Sequence, residues 1–132
     1  MKKFRGRASG ERGAVAVEFA LILPVLLLIL MGTIEFGRVY SQFQVFNGAA
    51  REGARCAAVQ ATDFSDCVVQ TRIDDAAQPY GVAQPASVTG ACTDDSVGTN
   101  VRVAWIQDFD INIPFWGDVT VDRTIEATFR CE

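Results

Sequence analysis

Histidine is absent from this chain, and its only two lysines, Lys2 and Lys3, stand together at the start. Without histidine there is no Ser-His or Cys-His pair for nucleophilic catalysis. The four cysteines form no C-x-x-C motif, so a zinc site is not expected either. The acidic pairs Asp74/Asp75, Asp94/Asp95 and Asp108/Asp110 lack the spacing of a calcium loop and read as solvated surface charge. Basic residues are scarce beyond position 55. Residues 56–132 carry four basic against twelve acidic side chains, a net of −8, whereas residues 1–55 carry eight basic and four acidic. An acidic domain of this kind argues against nucleic acid as a partner. These absences leave no catalytic residues, no metal, no cofactor and no small-molecule substrate to expect, and the chain does not read as an enzyme.

What the chain does have is one long apolar run. From Ala14 to Ile34 there are 21 residues, of which only Glu18 is charged. As a helix they span about 31 Å, close to the ~30 Å hydrocarbon core of a bilayer. A buried core helix would show a polar face, and Phe19–Ile34 shows almost none. The run therefore reads as a transmembrane helix, residues 14–34. Its flank Met1–Gly13 holds Lys2, Lys3, Arg5, Arg7 and Arg12 against Glu11, which places that end in the cytoplasm and the rest of the chain outside it. Met31–Phe36 offers no A-x-A pattern for removal of the apolar run as a secretory signal. Glu18 would be costly inside the bilayer unless paired, or would snorkel to the interface. Pro24 reads equally as a flexible point in the helix and as a tolerated kink.

The junction Arg12-Gly13-Ala14, with Glu18 fifth after the glycine, looks like a prepilin processing site. Gly13–Arg55 as a unit resembles the TadE-like pseudopilins of tight-adherence (Tad/Flp) pilus systems. The resemblance rests on that junction, Glu18, the apolar run with Pro24, Ile34-Glu35-Phe36-Gly37-Arg38 and Ala49-Ala50-Arg51-Glu52-Gly53-Ala54-Arg55. It implies a minor pilin of a type IVb pilus, cut between Gly13 and Ala14 by a prepilin peptidase. It also implies a single-pass place in a bacterial inner membrane, or on a surface pilus. Glu18 would serve assembly, and the partners would be the membrane, other pilin subunits and the Tad secretion machinery. The alternative is a membrane-anchored extracytoplasmic binding domain that never enters a filament.

Beyond the anchor, Phe36, Val39, Tyr40, Phe43, Phe46, Ala50 and Ala54 recur at three- and four-residue steps. The helix is expected to continue over residues 35–58, with this stripe packed mainly on the chain's own domain. Glu35–Arg38 and Glu52–Arg55 are i,i+3 pairs on it. Residues 59–132 read as a small α+β domain. Thr62–Asp66 is a break, and Ser65 or Asp66 is the expected cap of a second helix over Cys67–Ala77. Val68, Val69, Arg72 and Ile73 set that helix's inner edge. A short strand is expected within Val82–Val88, a turn at Thr93–Ser96 and a strand over Val97–Ile106. Val119 to Cys131 alternates with one apolar face, interrupted only by Arg123. Between these strands, Asp108–Gly117 reads as an aromatic loop tucked under the sheet.

An even cysteine count outside the cytoplasm suggests two disulfides. Of three connectivities, Cys56–Cys67 and Cys92–Cys131 is preferred. The first ties the rod to the second helix, and the second follows if the two long strands pair antiparallel. The expected fold is pilin-like α+β: a long N-terminal helix on an antiparallel sheet of three or four strands.

Overall fold

The computed structural model describes residues 10–59, 67–90, 92, 98–113 and 116–131. A single helix, α1 (Gly10–Val59), runs for 50 residues, about 75 Å. It passes through Pro24 without a break. Its two halves differ in surroundings. Residues 13–34 are exposed throughout, whereas Phe46, Ala49, Ala50, Ala54, Ala57 and Ala58 are buried. The buried set repeats at three- and four-residue steps and is mostly alanine, so other elements approach the helix backbone closely. Gly53 marks the tightest approach: a Cβ there would stand 2.5 Å from Ile73 Cγ1 on the next helix.

That helix, α2 (Val69–Ala76), packs against the far end of α1 through Ile73, with Ala77 buried just beyond it. It departs from the sequence expectation in two ways. Its N-cap position is Val68, extended and without a side-chain cap; the expected caps Ser65 and Asp66 lie outside the described residues. Its inner edge is Val69 and Ile73, because Val68 and Arg72 are exposed. The break at Thr62–Asp66 and the turn at Thr93–Ser96 fall outside the described residues.

The sheet has three antiparallel strands in the order β1 (Ser87–Thr89), β2 (Asn100–Ile113), β3 (Gly117–Arg130). The first strand is short, as expected, but sits at the end of the Val82–Val88 stretch and runs one residue beyond it. The second is longer: it runs on to Ile113, so Asp108–Ile113 is strand and not the tucked loop expected. The reason is visible in the residues. Asp108, Phe109, Asp110, Ile111, Asn112 and Ile113 continue the two-residue alternation, and each finds a partner on β3. Gly117 closes the hairpin at φ +95°, a left-handed conformation that favours glycine.

One face of β2 lies on α1. Val101, Val103, Trp105, Gln107 and Phe109 point inward, opposite Phe129, Ala127, Ile125, Arg123 and Val121. Arg123, which interrupts the apolar alternation of β3, thus stands opposite the one polar inward residue of β2. Gln107 is buried, and its Oε1 accepts from the Trp105 indole at 3.2 Å and from the Ala83 amide at 3.1 Å. Arg123 itself is exposed, and the strand register runs through this rung undisturbed.

Candidate functional site

The sequence-selected residues fall into three groups along the rod. Gly13, Ala14, Glu18 and Pro24 lie on the exposed apolar half of α1, and no part of the sheet domain covers them. Gly13 has no heavy atom within 4 Å of a would-be Cβ, so the junction is sterically open. Glu18 lies 17 residues before Glu35, about 25 Å along the helix. The four cysteines are brought together in two pairs. Cys56 and Cys67 join the end of α1 to the segment before α2, with Cα atoms 5.8 Å apart. Cys92 and Cys131 join the segment before β2 to the end of β3, with Cα atoms 5.5 Å apart. Beside the second bridge, Gly98 donates to Cys131 O and Cys131 donates to Thr99 O, which closes the open end of the hairpin.

Between anchor and domain sits a polar clasp that pattern reading only half disclosed. The Glu35–Arg38 pair was legible from its spacing; what it holds was not. Arg38 Nη2 donates to Glu35 Oε1 at 2.5 Å, and Arg38 Nε donates to Oε2 at 3.2 Å. The same Nη2 donates to the carbonyl of Asp110 at 2.7 Å, and the Asn112 amide donates to Glu35 Oε1 at 2.9 Å. One helical turn therefore grips two alternate residues of β2, 72 and 77 positions away in sequence. Arg38's hydrogen bonds, then the Asn112 amide, hold the Glu35 carboxyl below its ordinary range, and Glu35 raises the Arg38 guanidinium above its own. Both side chains remain solvated.

The aromatic stripe flanks this clasp. Phe43 and Phe46 meet Phe109 at centroid distances of 6.1 and 5.7 Å, and Phe46 also meets Tyr80 at 6.1 Å. This part of the stripe packs on the chain's own sheet, as anticipated. Phe36 and Tyr40 stack on each other on the exposed side. Among the described residues, no group of three or more His, Cys, Asp or Glu side chains converges on a metal-sized site.

A membrane-length apolar helix, exposed along its first half and clasped at mid-length to a small three-stranded antiparallel sheet, defines an α+β protein with one candidate membrane anchor among the described residues. An apolar core helix would be covered by its own protein, whereas none of the apolar window in α1 is. Membrane anchoring is the role that fits. Residues 13–55 match the model of the TadE-like protein family. The match covers about a third of the chain and takes in the open glycine junction, the anchor, Glu35–Arg38 and the first buried turns of α1; the sheet lies outside it. No curated protein and no solved structure matches the chain.

Proposed function

We propose that this protein is a minor pilin or pseudopilin of a Tad/Flp-type apparatus, inserted as a single-pass precursor and processed by a prepilin peptidase. One observation carries the reading: the family match begins at the glycine of an uncovered junction and runs through an apolar helix that the rest of the protein leaves bare. Such a helix needs lipid before assembly and other helices after it. The basic residues of Met1–Gly13 support a cytoplasmic N-terminus, with the disulfide-bearing domain on the far side of the inner membrane.

The mechanism follows from the cost of Glu18. Cleavage between Gly13 and Ala14 frees an amine, and Glu18 of one subunit pairs with the amine of a neighbour. A carboxylate that is expensive alone in the apolar layer becomes a register key between subunits. Pro24 gives the helix a point at which to repack as it leaves lipid. The test is the intact mass of membrane-extracted protein with and without the peptidase, before and after reduction. Peptidase-dependent loss of Met1–Gly13 is the expected result, with a gain of about four mass units on reduction of two disulfides. A leader retained in both strains would favour the anchored-domain reading. Normal assembly of a Glu18→Gln protein would remove the register role.

A further inference from the structure

The β2–β3 hairpin points back along α1 toward the anchor. Phe109 lies against Phe43 and Phe46, the Asp110 carbonyl against Arg38, and the Asn112 amide against Glu35. Each step along the strand moves further down the helix. Beyond the clasp, Ile113 and Trp116 line a cleft of about 400 Å³ with Leu28, Gly32 and Phe36. Leu28 and Gly32 belong to the apolar run. They lie six and two residues inside Ile34, about 9 and 3 Å below its end. With residues 14–34 read as the membrane span, Ile113 and Trp116 stand at the level of the lipid headgroups and the first acyl carbons.

The tip is built for that level. Its described residues Ile113, Trp116 and Gly117 carry no charge. Trp116 is 82% exposed, although the chain's other tryptophan, Trp105, is buried at 4%. An indole with an apolar body and one N–H donor suits the membrane–water interface, where tryptophans form belts around spanning segments. We propose that the hairpin tip, led by Trp116, inserts into the outer lipid interface beside α1 and acts as a second membrane contact. This rests on the reading of residues 14–34 as a membrane span. The occupant is the interface of a zwitterionic bilayer: no lysine or arginine stands at the tip, and Asp118 accepts a hydrogen bond from Asn112 just behind it. With the clasp, this contact fixes the tilt of the sheet domain against the membrane. Extraction of a subunit then includes withdrawal of the tip as well as the helix.

The experiment uses the full chain in phosphatidylcholine vesicles, with tryptophan emission read against two quenchers, lipid brominated high on the acyl chain and aqueous iodide. A Trp116→Phe protein reports Trp105 alone, and the difference between the two isolates Trp116. Alkaline carbonate extraction of the same vesicles reports whether α1 spans. The expected result is retention through carbonate, loss of most Trp116 emission to brominated lipid, and protection from iodide. Retention with iodide quenching would overturn the inserted tip and leave the span intact. Protection from both quenchers, relieved on dilution in lipid, would assign the tip to a second copy of the chain and also overturn the proposal. Release by carbonate would overturn the span and the tip together.

Discussion

Glycines at 48 and 53 lie five residues apart on α1, yet their surroundings predict opposite effects of the same substitution. Gly48 is exposed and has nothing within 4 Å of a would-be Cβ. Gly48→Ala should therefore stabilise the helix by up to about 1 kcal/mol, the usual gain in propensity. Gly53 is buried, with Ile73 Cγ1 at 2.5 Å and Cδ1 at 2.8 Å from the new methyl. Ile73 is itself fully buried, so it can yield only by displacing its own neighbours. Gly53→Ala should lose its propensity gain to overpacking and end about 1–2 kcal/mol less stable. Thermal melts of the two variants should shift in opposite directions, and a rise for both would refute the close packing of α2. Glu35 offers a second residue-scale test, by pH. Its carboxyl is held below the ordinary range by Arg38 and the Asn112 amide. A folded value below the unfolded one means that the clasp contributes fully above about pH 4.3 and fades as pH falls through the folded value. The Asn112 amide resonance should move across that acid window in the native protein and stay still in Glu35→Gln.

At the scale of elements, the two bridges close loops of different size. Cys56–Cys67 spans 11 positions and Cys92–Cys131 spans 39. On chain entropy alone they contribute about 3 and about 4 kcal/mol. Replacing Cys92 and Cys131 with serine should lower the denaturation midpoint more than replacing Cys56 and Cys67. The reverse order would mean that the tie between α1 and α2 is the weaker point of the domain. The long elements are legible in the sequence because their patterns run over many repeats. Alternation from Val119 to Cys131 and the three- and four-residue stripe on α1 each repeat enough to fix a face. Within Asp108–Gly117, the part Asp108–Ile113 reads as loop in sequence and is strand in the fold, for a physical reason. The tip of the stretch combines Pro114 and Gly117 with bulky aromatics, which resembles a loop, while the alternation that makes the first part strand is completed only by pairing with β3. The grip of Glu35 and Arg38 on β2 left no trace in residue types, because its partners there are backbone groups. The start of α2 escaped for a related reason: Val68 occupies the cap position without a capping side chain.

Taken whole, the molecule divides its labour at the clasp. Every residue from Gly13 to Ile34 is exposed, and on α1 the buried core begins only at Phe46. That core gathers α1, α2 and the sheet around Ile73, Val101, Val103, Trp105, Phe109 and Ile125. The anchor therefore contributes almost nothing to folding of the domain, and the domain covers almost none of the anchor. A chain of residues 35–132 keeps the clasp, both bridges and all of the core. It carries seven basic and fourteen acidic residues, a net of −7, which favours solubility. Such a fragment, produced under oxidising conditions, should remain in solution without detergent and melt cooperatively within a few degrees of the domain transition in the full chain. Its mass should rise by about four units on reduction, as for two bridges. What it loses is the cover of Leu28 and Gly32 over Ile113 and Trp116, so any loosening should concentrate at the hairpin tip and appear first in the Trp116 emission. A fragment that stayed soluble but melted without cooperativity would show that the apolar half of α1 belongs to the fold as well as to the membrane.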